Sequence, residues 1–182
     1  NDTIFGFGGN DSLFGGAGND SITSGSGADF TDGGSGNDTI DSSYATGNVT
    51  VVGGTGNDSI AGGVFYDSID GGDGNDKIYG DFGNDTIFGG SGNDSIGGGA
   101  GADSIDGGAG NDTINGGLNT DSVFGGDGND LIYGSTGFDT LDGGAGNDTF
   151  NMQVGLTQHD TVVGGDGTDT VKFDEASSLA TI

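Results

Sequence analysis

The sequence predicts an all-β solenoid, with short strands stacked coil on coil and joined by tight glycine-rich turns. Two observations lead there. The first is a nine-residue unit, G-G-x-G-N-D-x-(Ile/Leu/Val)-x, which recurs almost from end to end and stands intact at residues 33–41 (GGSGNDTID), 89–97 (GGSGNDSIG) and 107–115 (GGAGNDTIN). One such unit holds a turn and a very short strand and can bury no core alone; stacking supplies the core. The second is register. Sixth-position aspartates fall at Asp2, Asp11, Asp20, Asp29 and Asp38, then in steps of nine from Asp58 to Asp148, then at Asp160 and Asp169. An apolar row follows two places later: Ile4, Leu13, Ile22, Ile40, Val51, Ile60, Ile69, Ile78 and onward to Phe150, Val162 and Val171, with Thr31 its weak member. The middle residue of a three-residue strand points one way and its neighbours the other, so this row makes the core and the outward positions are mostly Ser, Thr and Asp. Glycine density and the lack of a 3.6-residue period argue against helix anywhere.

Composition alone points the other way. With 46 glycines in 182 residues, 29% hydrophobic residues and a formal net charge of −27, the chain has the profile of a disordered acidic linker. The strict period overrides that reading, and the absence of proline excludes collagen. Lys77 and Lys172 are the only cationic side chains, so the acidic row calls for an outside cation, and binding nucleic acid through its phosphates is excluded. There is no cysteine for a disulfide or thiolate metal site, and no apolar run long enough for a membrane span. Residue 1 is Asn and opens midway through a repeat, as expected of a piece of a longer chain.

The turn chemistry specifies the cation. Glycines in GGxGND permit positive φ and close backbone approach, which turns carbonyl oxygens inward, and an aspartate at the end adds one hard anionic ligand. Carbonyl and carboxylate oxygens without His or Cys suit Ca²⁺, which takes six to eight oxygens, better than Zn²⁺ or copper; Mg²⁺ keeps its waters and seldom uses an all-protein cage. A single copy of such a turn would mean no more than ordinary Gly/Asp turn preference. Eighteen aspartates in register mean more.

GGxGxDxUx, with U a large apolar residue, resembles the hemolysin-type calcium-binding nonapeptide of RTX (repeats-in-toxin) proteins, over essentially residues 1–172. The resemblance implies a right-handed parallel β-roll (a β-solenoid) with two nonapeptides per eighteen-residue coil. It implies Ca²⁺ between loops of adjacent coils, held by loop carbonyls and by the sixth-position aspartates of both. It also implies a secreted, extracellular or cell-surface bacterial-type protein that leaves the cell unfolded by a type I route and folds in external calcium. Carried onto this chain, Asp38 and Asp58 would flank one ion together with the carbonyls of Gly33, Gly34, Ser35 and Gly36 and of Gly53, Gly54, Thr55 and Gly56; Gly89, Gly90, Ser91 and Gly92 would serve the same way.

Loops eighteen residues apart stack on one edge, and the two edges differ. The first carries Asp20, Asp38, Asp58, Asp76, Asp94, Asp112, Asp130, Asp148 and Asp169, and every loop on it keeps GGxGxD. The second carries Asp11, Asp29, Asp67, Asp85, Asp103, Asp121, Asp139 and Asp160, has Val49 where an aspartate is due, and keeps the full pattern only at 98–103. Both length changes, near Ser42–Ser43 and near Met152–Val154, fall on it. Nine loops leave eight gaps, hence about eight ions on the regular edge and up to about sixteen in all if the irregular edge also binds, less tightly. Tyr44, Phe65, Tyr66, Phe82 and Phe138 on the irregular edge read either as a partner surface or as drift in dispensable loops.

The outer face of the sheet that follows the irregular loops shows a longer repeat. Its ninth positions run Phe14, Asp32, Val52, Asp70, Phe88, Asp106, Phe124, Asp142, Val163, so that apolar groups alternate with Asp about every 9.5 Å at ordinary strand spacing. The Phe14/Val52/Phe88/Phe124/Val163 row is a candidate face for homo-assembly or a protein partner; a relic of 36-residue duplication and a surface covered by other parts of the protein are the alternatives. The opposite sheet shows no such order.

No catalytic constellation is legible. His159 is the only histidine and sits in a divergent repeat, and the carboxylates are spaced for ions between loops and not paired in a cleft. The expectation is a non-enzymatic roll of roughly ten coils over residues 1–172, with a non-repeat segment at 173–182 capping its end. Its role would be calcium-dependent folding and scaffold, assembly or adhesion in a surface layer, filament or adhesin. The alternative is a carboxy-terminal secretion and folding accessory of a secreted RTX enzyme or toxin.

Overall fold

The computed structural model describes residues 1–152 and 160–173. Among them are nineteen strands and no helix. The odd-numbered strands, from β1 (Thr3–Phe5) to β19 (Thr170–Phe173), form a ten-stranded sheet; the even-numbered strands, from β2 (Ser12–Ala17) to β18 (Thr161–Val163), form a nine-stranded one. Every pairing is parallel and joins a strand to the strand two further along the chain. The chain therefore alternates between two facing sheets, and two nonapeptides complete each turn of a parallel β-solenoid of about nine turns.

Register follows the repeat. In β10 (Thr86–Ser91) and β12 (Ser104–Ala109), Ile87 pairs with Ile105 and Phe88 with Asp106, eighteen residues apart. The pairing does not stop at the three residues expected of each unit. It runs on through Gly90↔Gly108 and Ser91↔Ala109, so most strands are six residues long and take in the first half of the GGxGND loop. Stacked identical turns can keep their backbone groups paired around the corner, which a lone turn cannot.

The core is one side chain deep from each strand. Ile69, Ile87 and Ile105 line one sheet, and Ile78, Ile96 and Ile114 the other, all at most 3% exposed. Burying each of them contributes roughly 1.5–3 kcal/mol, repeated at every strand. The first-position glycines face inward too, and the space a Cβ would take at Gly89 lies 3.0 Å from Ile96 Cδ1. Thr31 keeps the expected place in the core row, its Oγ1 buried without a hydrogen-bond partner. Val171 belongs to the same row but lies in the last described coil and is exposed.

The insertion at Ser42–Ser43 is absorbed in the turn. Pairing resumes at Thr39↔Ser59, twenty residues apart, while Ala45 and Val49 tuck into the core. Register likewise resumes after the second insertion, at Thr140↔Thr161. His159 lies outside the described residues. Phe173, the first residue of the expected 173–182 cap, instead continues the ladder by pairing with Met152; the rest of that segment, 174–182, also lies outside the described residues.

Candidate metal centre

The even-numbered strands deliver the chain into the regular loops and the odd-numbered strands into the irregular ones. Each sixth-position aspartate is positioned by a bond across the coil gap. On the regular edge Oδ1 of Asp20 accepts the amide of Asp2, and the rungs continue through Asp38, Asp58, Asp76, Asp94, Asp112, Asp130 and Asp148 to Asp169, at 2.5–3.0 Å. On the irregular edge the same bond joins Asp11 to Asp29, then Val49 to Asp67, then Asp67, Asp85, Asp103, Asp121, Asp139 and Asp160 in succession. Val49 can donate its amide but has no carboxylate to offer Asp29, so one rung is missing there.

The second oxygen of nearly every one of these carboxylates is stranded. Oδ2 is buried and lacks a hydrogen-bond partner at Asp20, Asp38, Asp58, Asp76, Asp94, Asp112, Asp130 and Asp148 on the regular edge. The same holds for Asp11, Asp29, Asp67, Asp85, Asp103 and Asp121 on the other. Residues from Asp20 to Asp148 in these two rows are only 1–3% exposed. Burial pushes the carboxyls of Asp58, Asp67 and Asp76 up to about 6, and those of Asp85, Asp112 and Asp121 up to about 7. The amide rung opposes that rise, and neighbouring carboxylates add to it, as Asp76 and Asp38 do for Asp58. Burial also raises Asp38, Asp94, Asp103, Asp130, Asp139 and Asp148. A row of buried, unpaired carboxylates is costly unless protons or a cation meet it.

The stranded oxygens point into cradles of carbonyl oxygen. A Cβ added to Gly33 would sit 2.6 Å from Asp38 Oδ2 and 2.6 Å from the Gly53 carbonyl; one on Gly53 would sit 2.6 Å from Asp58 Oδ2 and 2.4 Å from the Gly71 carbonyl. The arrangement repeats at Gly71, Gly89, Gly107, Gly125 and Gly143. Only glycine leaves this space open. At the second and fourth loop positions Gly34, Gly36, Gly54, Gly56, Gly90 and Gly92 hold positive φ, the role the sequence assigned to the turn glycines. Ser35, Thr55 and Ser91, between them, are strand residues whose backbone closes the turn.

The irregular edge keeps more of this geometry than its sequence suggests. At Gly80 and Gly98 a carboxylate and a carbonyl converge within 2.5–2.6 Å, as on the regular edge. The cradle is looser at Gly62, where both distances are 3.0 Å, and it is lost at Gly134, where the Met152 thioether takes the space.

The donor set is oxygen throughout. Among the described residues no three His, Cys, Asp or Glu side chains gather at one point, so an ion between coils would draw most of its ligands from the backbone. That suits a large, hard cation with flexible coordination, which is calcium.

Residues 5–40, 45–69, 52–87, 67–96, 88–123, 124–151 and 154–175 match the RTX calcium-binding nonapeptide repeat family. The chain belongs to that family. It is a calcium-binding RTX repeat β-roll, as the nonapeptide pattern leads one to expect. A search of curated proteins found no match. Only RTX repeats are found along the chain, with no catalytic domain evident; such repeats also occur in enzymes. The family is typical of secreted bacterial proteins.

One set of residues in the RTX loop escaped sequence reasoning although it stands in the motif. The fifth-position asparagines form a second ladder outside the aspartates. Oδ1 of Asn93 accepts the amide of Asn111 at 2.6 Å, and Asn19, Asn37, Asn57, Asn75, Asn111, Asn129 and Asn147 accept likewise from the next coil. Aspartates accept from the coil before and asparagines from the coil after, so each gap is bonded in both directions. The recurrence of N in GND in eight of the nine regular loops was the available signal.

Proposed function

We propose that this roll is an extracellular scaffold whose folding is switched on by calcium, and that it serves an assembly or adhesion role at a cell surface or in a filament. The observation that carries the reading is the row of buried, partnerless Oδ2 atoms facing glycine carbonyls across every regular coil gap. In this reading the aspartates from Asp20 to Asp169 on the regular edge hold about eight ions with the loop carbonyls, including those of residues 33–36, 53–56 and 89–92. The irregular edge adds sites at Asp85 and Asp103, whose cradles match the regular row, a weaker one at Asp67, and fewer where Val49 and Met152 interrupt it. Bound calcium supplies positive charge that lets like-charged coils approach; the chain supplies oxygens and a core too thin to close without it.

Secretion as an unfolded chain fits the same chemistry, because the roll would form only after reaching millimolar calcium. The assembly role rests on the Phe14/Val52/Phe88/Phe124/Val163 row. Phe14, Phe88, Phe124 and Val163 are exposed, Val52 is half-buried, and strand pairing sets them in one line with Asp32, Asp70, Asp106 and Asp142 between them.

Calcium titration followed by circular dichroism tests the reading. A disordered spectrum without calcium and β structure appearing with a midpoint near 10⁻⁴–10⁻³ M is the expected result, in the range of extracellular modules. Full β structure in calcium-free buffer at neutral pH would overturn it.

A further inference from the structure

Among the described residues, every buried side-chain oxygen without a hydrogen-bond partner belongs to an aspartate, with three exceptions: the hydroxyls of Ser24, Thr31 and Ser42. All three side chains are at most 1% exposed. They are not scattered. Thr23 pairs with Asp41 in the ladder of β3 (Ser21–Thr23) and β5 (Thr39–Asp41). The amides of the next residues, Ser24 and Ser42, donate to the carbonyls of Asp41 and Ala61, so the two serines stand one above the other on adjacent coils. Both take the inward first position of an irregular loop, which is glycine at Gly62, Gly80 and Gly98.

Thr31 completes the group. The first loop position packs on the core residue that follows the loop: a Cβ at Gly62 would lie 3.0 Å from Ile69 Cδ1, and one at Gly134 3.0 Å from Leu141 Cδ1. The same step along the chain leads from Ser24 to Thr31, and the core residue after the loop of Ser42 is Val51, the register partner of Thr31. Neither Thr31 nor Val51 has a Cδ atom, which leaves room for a serine at each corner.

These serines stand where a calcium cradle is due. At Gly62 a carboxylate oxygen of the same loop and a carbonyl of the next coil converge on the space that glycine leaves open. Ser24 puts its Cβ into the equivalent space beside Asp29. Ser42 does the same, and its loop has Val49 in place of the carboxylate. The gap between the loops of Asp29 and Val49, and the gap after it, therefore lack the room that an ion has elsewhere on this edge. Yet Oδ2 of Asp29 is buried without a partner, and its charge still needs a donor. A hydroxyl meets that need. Rotation about χ1 swings the Ser24 Oγ around a Cβ already in the cradle, and the hydroxyls of Thr31 and Ser42 each donate and accept in turn.

Closing these coils is correspondingly cheap. Val49 brings no buried charge and, with Ala45, adds to the core. On the regular edge Asp20, Asp38 and Asp58 still call for calcium. In a solenoid each coil contacts only its neighbours, so folding spreads from whichever gap closes most easily.

We propose that these two gaps form a calcium-independent joint, in which the hydroxyls of Ser24, Thr31 and Ser42 take the place of an ion at Asp29, and that the coils around it are the first to close as calcium rises. The proposal rests on calcium binding by the other loops, and the two fail separately.

The test uses crystals of the whole chain grown in calcium, with the ions located by their anomalous scattering. Ions should appear in the regular gaps and in neither gap of the joint. Ser24→Gly recreates the cradle beside Asp29 and should gain one ion; Ser42→Gly, whose loop carries Val49, should gain none. Ser24→Ala keeps the Cβ but loses the hydroxyl, so the ion count should stay the same while the melting temperature in saturating calcium falls. Hydrogen exchange at rising calcium should show β5 and β6 (Thr50–Thr55) protected before β11 (Ser95–Ala100) and β13 (Thr113–Leu118). An ion in either gap of the wild type overturns the proposal. So does an unchanged ion count in Ser24→Gly, an unchanged melting temperature in Ser24→Ala, or protection of β11 and β13 at the same calcium as β5 and β6 or below it. Ions missing from the regular gaps as well would instead overturn calcium binding by the roll, and the joint with it.

Discussion

The amide of Asp94 donates to Oδ1 of Asp112, one coil further on, at 2.8 Å, and Oδ2 of Asp112 is left buried with no partner. One carboxylate thus does two things. Its first oxygen splices adjacent coils, and its second is held for something that the protein chain itself does not supply. Repeated along both edges, this relationship links the strength of the fold to whatever occupies the gap.

Acid and calcium should act as alternatives. Burial raises Asp58, Asp67 and Asp76 of the folded roll from the ordinary carboxylate range to about 6, and Asp85, Asp112 and Asp121 to about 7. A raised folded-state value means protonation favours folding: the contribution is complete below about pH 4 and lost as pH rises through 6–7. In calcium-depleted buffer the chain should therefore gain β structure as pH falls from 8 to 4. With calcium present the order reverses, because protons compete for the carboxylates and the calcium midpoint should climb as pH falls. Circular dichroism across pH in both conditions checks it; a calcium-free chain more structured at pH 8 than at pH 5 contradicts it.

Charge and hydrogen bond can be separated at one residue. Asp94→Asn keeps an Oδ1 to accept the Asp76 amide and places an NH₂ where Oδ2 faces the Gly107 carbonyl. It should make the calcium-free roll easier to form while raising the calcium midpoint. Asp94→Ala loses the rung as well and should be roughly 1–3 kcal/mol less stable than Asp94→Asn in either condition, the penalty of a buried unpaired amide. Asp67→Ala, where the cradle is looser, should shift the calcium midpoint less than Asp94→Ala does. Equal shifts would mean the two edges bind alike.

The first glycine of the loop should tolerate nothing larger. A Cβ at Gly89 would lie 2.4 Å from the Gly107 carbonyl and 2.6 Å from Asp94 Oδ2, both too close without backbone movement. Gly89→Ala should prevent calcium-induced folding of the coils around it, seen as lost amide protection in hydrogen exchange. Gly97→Ala, whose neighbour is a movable tyrosine ring, should fold normally.

The asparagine ladder should contribute to stability without selecting the ion. Asn93→Ala removes the acceptor of the Asn111 amide on an exposed edge, costing about 0.5–1.5 kcal/mol. Thermal unfolding in saturating calcium should show a lowered melting temperature. The number of calcium ions bound, measured by calorimetry, should stay the same.

Replacing Phe88 and Phe124 with Ser should reduce calcium-dependent self-association or partner binding and leave β structure intact. These side chains face solvent in one row, and their association must wait for calcium to neutralise much of the charge that keeps copies apart. Sedimentation in calcium decides it: identical monomeric behaviour of wild type and variant, with no partner lost, reduces the row to a trace of duplication.

The repeat by itself determined the solenoid, the Ile69–Ile87–Ile105 core row and the two edges, because a strict nine-residue period leaves one way to bury its single apolar position. It also determined the cation class, since glycine turns ending in aspartate offer only hard oxygen. Tertiary structure decided what happens between coils. The pairing of Gly90 with Gly108, the stranded Oδ2 of Asp112 and the opposed asparagine rungs arise only when one turn lies on the next, and no pattern within one unit encodes its neighbour's carbonyls. The same holds for the irregular edge. Its glycines are scattered in sequence, yet Asp85 and Asp103 sit in cradles as tight as those of the regular row, because the opposite edge and the shared core hold the coils at one spacing.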